Sequence, residues 1–319
     1  MSQPAADGPA LAGARSRLQG GLPVSVTTAF GALALVPTAG VLFFRLVRNL
    51  PVGLPAVARG ASPAVEALAA VVPALAMVGL AIVAERRAMR VSFAAVGVFA
   101  LLGAADGAAW LPAAAATLSG AAIVLALDLR ERLPDGVEPL SKAGLRRISG
   151  PAVVAGLGLV ALATSLTASA GIETTSLRPA GTLLVFATLA VLPLVRSLDD
   201  YFDLGLWVVA TFAIVVGAAS APFVAGAVVL VALGAGTAPL ALLAMGLGGG
   251  FATVVADTRR TAYGPAVGAA LVLVAGVPAT LPRAVAFALG LVILVREWDG
   301  TTDAVAKSTT TAAGGVADA

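Results

Sequence analysis

The stretch VSFAAVGVFALLGAADGAAWLPAAAATLSGAAIVLAL (residues 91–127) has one charged side chain, Asp106, among its 37 residues. A single α-helix of that length would extend about 55 Å at 1.5 Å per residue, whereas the hydrocarbon core of a bilayer is about 30 Å thick. The stretch therefore predicts two short membrane-crossing helices joined near Asp106. Gly103 and Gly107 permit a tight turn there, and Trp110 is typical of the membrane interface. We interpret Asp106 as a turn residue at the surface. The alternative is an acid in an aqueous vestibule between the helices.

The composition of the chain indicates its class. Its 319 residues are 59% hydrophobic and 12% charged, with a mean hydropathy of +1.00, whereas soluble domains carry about 25% charged residues. Apolar runs recur throughout residues 21–298. We therefore predict an all-α polytopic integral membrane protein, built as a bundle of short Ala- and Gly-rich transmembrane helices. We expect residues 1–20 to be a polar N-terminal tail and residues 299–319 to be a disordered C-terminal tail.

The chain contains no cysteine and no histidine. Disulfides, thiolate zinc sites, histidine-ligated haem and histidine general bases are therefore excluded. We expect no cofactor. Because the basic residues cluster beside apolar segments, they indicate membrane topology rather than a nucleic-acid partner. The expected partners are the lipid bilayer and a small-molecule solute or ion.

The apolar runs predict ten membrane spans, and an eleventh run is ambiguous. The ten spans are residues 23–44, 63–84, 91–105, 109–127, 150–170, 179–195, 204–221, 239–256, 264–281 and 283–296. The ambiguous run, residues 222–238, is apolar enough to cross but short. Lys and Arg in short loops favour the cytoplasm. With ten spans and a cytoplasmic N-terminus, 15 of the 20 basic residues lie inside and five lie outside, namely Arg45, Arg48, Arg59, Arg178 and Arg283.

An eleventh crossing would distribute the basic residues more evenly between the two sides. We therefore predict ten spans in the cell membrane, with residues 222–238 re-entrant or strongly tilted and both termini cytoplasmic. Ten spans divide into two halves of five, and inverted repeats of that kind are common in secondary transporters. We accordingly favour a secondary transporter or permease-like protein for a small solute over an enzyme. A non-catalytic membrane subunit remains an alternative.

An acidic cluster follows the sixth predicted span, in the stretch RSLDDYFDLGLW (residues 196–207). Asp199 and Asp203 are four residues apart, so both carboxylates would share one helix face, with Asp200 beside them. These three acids are candidates for coordinating a coupling cation or the substrate. The alternative is structural, because acids in the first turn of a helix complement its dipole.

The same acids spell D-D-x-x-D, which resembles the magnesium–diphosphate motif of prenyltransferases. The resemblance implies an alternative function, a membrane-embedded Mg²⁺-dependent prenyl or lipid-diphosphate transferase with Asp199 and Asp203 as metal ligands. Asp257 is the candidate for the second acidic site that such enzymes require, and Arg196 would help to neutralise the departing diphosphate. Mg²⁺ is an expected cofactor only under this hypothesis.

Glu66 is the candidate coupling residue in the first half of the chain. We predict that its helix begins at Pro63, after a cap at Ser62, and that Pro73 kinks or breaks it. A carboxylate near a broken helix can serve as an ion or proton site. The alternative is a carboxylate at the outer surface of the membrane.

The glycine-rich stretch GLGGGF (residues 246–251) falls within the eighth predicted span. Gly246 and Gly250 have the small-xxx-small spacing that lets two helices approach closely. We therefore predict close helix packing at this point, with gating or a substrate contact as the alternative.

Overall fold

The computed structural model describes residues 25–48, 56–133, 142–196, 205 and 237–299. Every regular element in these ranges is helical, which confirms the predicted all-α class. The α-helices of the described ranges are, in chain order, α1 (Val26–Arg48), α2 (Ala56–Val83), α3 (Arg87–Ala105), α4 (Trp110–Glu131), α5 (Lys142–Ser169), α6 (Thr174–Val195), α7 (Thr237–Arg259), α8 (Tyr263–Ala275) and α9 (Leu281–Arg296).

The described helices α1–α8 form a ring, and α9 fills its centre. Each helix of the ring packs against the next one along the chain, and α8 closes the ring by packing against α1. α9 contacts α1–α5 and α8 from the inside. Leu281 and every residue of 284–295 are buried, so protein surrounds the last helix on all sides. The fifth helix lies in the ring while the last one is central, so this arrangement gives no support to a repeat of two equivalent five-helix halves.

Glycines let the central helix approach α8, which runs antiparallel to it. A Cβ atom at Gly268 of α8 would lie 2.6 Å from the main-chain nitrogen of Leu294. A Cβ atom at Gly290 of α9 would lie 2.9 Å from the main-chain nitrogen of Val272. Backbone atoms cannot move aside as a flexible side chain can, so the close spacing of α8 and α9 depends on these two glycines.

The helices α6 and α7 run parallel to each other. Gly246, in the middle of α7, lies against Phe186 of α6, and Asp257 in the last turn of α7 reaches Arg196 directly after α6. A Cβ atom at Gly246 would lie 2.7 Å from the main-chain oxygen of Phe186. This contact confirms the prediction of close packing for the GLGGGF stretch.

The two ends of the bundle differ in charge. At one end, here called the polar end, the α2–α3 connection meets the C-terminal ends of α4, α6, α7 and α9. The opposite end carries the turn at Asp106 and the start of α9. The described basic side chains of the polar end are Arg86, Arg87, Arg90, Arg130, Arg132, Arg196, Arg259, Arg260 and Arg296, and those of the opposite end are Arg178 and Arg283. Nine of these described basic side chains therefore lie at the polar end and two at the opposite end.

Within the described ranges, seven helices, α1–α7, are long and apolar enough to cross a membrane. They correspond to seven of the ten predicted spans, so the count of ten is not confirmed. The predicted span 264–281 is wrong as one helix. α8 stops at Ala275, because Gly276 adopts a positive φ of 57° and a non-helical segment leads from it to α9. α9 itself has 16 residues, fewer than the roughly 20 that cross a bilayer. The predicted segments 204–221 and 222–238 lie outside the described residues.

The start of α2 also differs from the prediction. The predicted start at Pro63 with a cap at Ser62 is wrong, because α2 begins at Ala56 and continues through both Pro63 and Pro73. The φ angle of proline is itself compatible with a helix, and the alanine-rich sequence before Pro63 favours helical backbone. Of the two predicted tails, only Asp299 is among the described residues.

Candidate functional site

An arginine–aspartate pair joins the ends of α6 and α7 at the polar end. Nη2 of Arg196 donates to Oδ1 of Asp257 over 2.7 Å, and Nε donates to the same oxygen over 3.1 Å. Nη1 of Arg196 donates to the main-chain oxygen of Trp298 over 2.8 Å, and the guanidinium lies 5.1 Å from the centre of the Trp298 ring. Asp257 is fully buried and the Arg196 side chain is 8% exposed, so protein encloses this ion pair.

A second acid, Asp128, lies in the last turn of α4 and is 5% exposed. It belongs to a cavity of about 370 Å³ that opens at the polar end, with a lining formed by Asp128, Glu131, Arg132, Arg296 and Asp299. Oδ2 of Asp128 and Nε of Arg132 are both buried, and neither has a hydrogen-bond partner among the described residues. Burying a polar atom without a partner is unfavourable, so a buried acceptor and a buried donor at one cavity are an unusual combination.

Two arginines fix the C-terminal end of the central helix. Arg132, directly after α4, donates to the main-chain oxygens of Val295 and Arg296 and forms an ion pair with Asp299. Arg196 donates to the main-chain oxygen of Trp298. The last carbonyl groups of a helix have no partners within the helix. Arg132 supplies donors to two such groups, and Arg196 binds a carbonyl just beyond the helix, so the two arginines tie the end of α9 to the ends of α4 and α6.

Toward the opposite end, a smaller cavity of about 120 Å³ lies between α1, α2 and the segment from α8 to α9. Glu66 projects into it from α2, and Arg283 does so from the first turn of α9. The remaining lining residues are Thr38, Val41, Leu42, Ala69, Ala70, Val274, Thr280 and Pro282. The cavity is large enough for several water molecules or one small solute. It presents one carboxylate and one guanidinium to whatever enters.

The structure describes four of the seven predicted site residues, namely Glu66, Asp106, Arg196 and Asp257. Arg196 and Asp257 bind each other, and this pairing occupies the guanidinium that the diphosphate hypothesis requires. Glu66 is exposed and lines the smaller cavity. The predicted candidates Asp199, Asp200 and Asp203 lie outside the described residues.

Asp106 lies in the connection between α3 and α4, as predicted. It is exposed and extended, and its Oδ1 accepts a hydrogen bond from the main-chain nitrogen of Ala108 over 3.0 Å. This contact caps the 3-10 turn Gly107–Ala109. The interpretation of Asp106 as a turn residue is confirmed.

Asp128 is not among the site residues predicted from the sequence. Thr117, Ala121, Val124 and Asp128 are all buried, and they recur at the spacing of one helix face. An acid that continues a buried face is a stronger candidate than an acid at a turn. The sequence alone did not show which face of this evenly apolar helix is buried.

The outer surface of the ring is largely apolar. Large apolar side chains stand exposed on its outside, among them Val36, Val91, Leu111, Val160 and Leu194. A soluble monomer rarely exposes large apolar side chains on so many of its helices. With the seven long apolar helices, they define the class of the protein: a multi-pass, α-helical integral membrane protein.

Comparison with known families gives the particular family. The chain belongs to an integral membrane family of unknown function (DUF8068), which matches residues 27–295. The match covers every described helix except the terminal residues of α1 and α9. Neither a curated protein nor a solved structure matches the chain significantly.

Proposed function

We propose that the protein is a secondary transporter for a small zwitterionic solute, which binds in the cavity between Glu66 and Arg283. The observation that carries this proposal is the position of α9. Its first turn contributes Arg283 to the smaller cavity, and its last residue, Arg296, lines the cavity at the polar end. These two arginines are about 20 Å apart along the helix at 1.5 Å per residue. The buried residues between them are apolar and separate the two polar cavities.

The charges of the smaller cavity favour a solute that carries both signs. The carboxylate of Glu66 accepts hydrogen bonds and attracts an ammonium group, whereas the guanidinium of Arg283 donates to a carboxylate. Thr280 is adjacent and adds a hydroxyl group. A solute with one charge alone would leave either Glu66 or Arg283 without a counter-charge.

The polar end has the properties of a closed gate. The Arg196–Asp257 pair and the contacts from Arg132 to the end of α9 hold four helix ends together. Alternating access requires these contacts to break while the smaller cavity closes. α9 lines the smaller cavity with its first turn and makes the contacts at the polar end with its last. A displacement of this one helix would therefore affect both cavities.

The arginines at the polar end favour a cytoplasmic location for it, in the cell membrane. The ten-span topology gives the spans that correspond to α6 and α7 the same direction, which agrees with their parallel packing. We therefore retain the ten-span topology as part of the proposal.

The test is uptake by purified protein in liposomes. We expect radiolabelled glycine and alanine to exchange across the membrane, and acetate and methylammonium, which each carry one charge, to exchange much less. Glu66→Gln and Arg283→Gln should each abolish exchange. Glu173→Gln and Arg178→Gln are the matched controls, because both residues are exposed near the opposite end and neither lines the cavity.

Absence of zwitterion exchange by the wild-type protein would overturn the proposal. Exchange at the wild-type level by Glu66→Gln and Arg283→Gln would show that the solute does not bind at the assigned site. Stoichiometric copurification of another membrane protein, with no exchange, would instead favour a non-catalytic subunit. Magnesium-dependent binding of a prenyl diphosphate that is lost in Asp199→Asn/Asp203→Asn would favour the transferase.

A further inference from the structure

We infer that the cavity at the polar end is a second binding site for the same class of solute, with Asp128 and Arg132 as its binding residues. This inference rests on the proposed function for the identity of the solute. Nothing in the sequence pattern assigned a role to either residue. The cavity would serve as the inner site, from which the solute leaves or at which it first binds.

The main evidence is a pair of buried atoms without partners. Asp128 is 5% exposed, and its Oδ2 accepts no hydrogen bond from any described residue. Nε of Arg132 is equally buried and donates to no described residue. Both side chains line the same cavity of about 370 Å³. A ligand that donates to Asp128 and accepts from Arg132 would satisfy both atoms at once.

This cavity shares a carboxylate and an arginine with the smaller one, and Glu131, Asp299 and a second arginine add to its lining. Each cavity combines a carboxylate from a ring helix, Glu66 or Asp128, with an arginine, and α9 contributes an arginine to both. An ammonium group would bind Asp128, and a carboxylate would bind Arg132. Arg296 also lines the cavity and adds a second positive charge that attracts the carboxylate. Two cavities that each hold a carboxylate and an arginine, at the two ends of one helix, are what a solute pathway through the ring requires.

Asp257 is a weaker candidate for such a site, although its Oδ2 also lacks a partner among the described residues. Its Oδ1 already accepts two hydrogen bonds from Arg196. Asp257 is fully buried and does not line the cavity at the polar end. A solute could reach it only after the ion pair with Arg196 had broken. Asp128, in contrast, lines a cavity that is open at the polar end.

The test is the stoichiometry of solute binding to the purified full-length protein in detergent. We expect equilibrium dialysis with radiolabelled glycine to give two molecules bound per wild-type chain and one per Asp128→Asn chain. Glu66→Gln should also bind one molecule, and the double variant none. Glu85→Gln is the matched control, since Glu85 is an exposed acid near the polar end that does not line the cavity. It should bind two.

Arg132→Lys provides a second variant, because lysine keeps the positive charge but lacks Nε. We expect Arg132→Lys, like Asp128→Asn, to bind one molecule per chain. Retention of two bound molecules by both variants would overturn the inference, as would a single bound molecule in the wild type. The proposed function is tested separately by exchange. If the protein exchanges solute but binds only one molecule, the transport function stands and the inner site is removed. If it binds two molecules without exchange, both sites stand and the transport function is removed.

Discussion

Arg196 and Asp257 form a buried ion pair between the ends of two parallel helices. Their closest atoms, Nη2 and Oδ1, are 2.7 Å apart, and Asp257 is fully buried. Removing one partner of such a pair leaves a charge in a site that water cannot reach. The pair therefore stabilises the closed polar end only while both residues are present.

Asp257→Ala should lower the free energy of unfolding by about 3–5 kcal/mol, the range found when one partner of a buried ion pair is removed. Arg196 would keep its contact with Trp298 but lose its counter-charge. Thermal unfolding of the purified protein in detergent would measure the loss. In Arg196→Met/Asp257→Leu no charge remains buried, so most of the stability should return. A double variant less stable than Asp257→Ala would contradict this account.

Gly246→Ala should destabilise the protein by about 1–3 kcal/mol, as overpacking of a closely packed site does. The new Cβ would meet main-chain atoms of Phe186, with the oxygen at 2.7 Å. The control is Gly156→Ala, at a helical glycine whose added Cβ meets nothing within 4 Å. That substitution should stabilise α5 by up to about 1 kcal/mol, because alanine has the higher helix propensity. Equal shifts in the unfolding temperature of the two variants would count against the packing argument.

Asp106→Ala should lower stability by no more than about 1 kcal/mol, the usual effect of losing a cap. Solute exchange should remain at the wild-type level, because Asp106 is exposed at a turn and lines neither cavity. The measurement is exchange in liposomes together with thermal unfolding. Loss of exchange in a folded Asp106→Ala protein would restore the alternative of a functional acid in a vestibule.

The sequence predicted local features of the fold well. The turn at Asp106 follows from the length of an apolar run that no single helix can span, with glycines at its midpoint. The spacing of Gly246 and Gly250 predicted a close helix contact. Both features depend on residues that are near each other in the chain. The same kind of reasoning was wrong for the start of α2, because helical backbone continued on both sides of Pro63.

The lateral arrangement of the helices was not predictable from the chain. α9 is as apolar as its neighbours in sequence, and only its contacts show that it is central. The pairing of Arg196 with Asp257 joins residues in separate helices, for which no spacing rule exists. Asp128 was missed for a related reason. Its burial depends on α9 lying against one particular face of α4, and the even hydrophobicity of α4 does not mark that face.

The last prediction concerns sidedness. Because the chain has no cysteine, single cysteines can be introduced at Ala88 and Ala108, which are exposed at the polar end and in the turn at the opposite end, respectively. The excess of arginine at the polar end predicts that it faces the cytoplasm. In intact cells, an impermeant thiol reagent should therefore label Ala108→Cys and leave Ala88→Cys unlabelled until the membrane is permeabilised. Labelling of Ala88→Cys alone would reverse the orientation, and the cavity with Asp128 would then be the outer site.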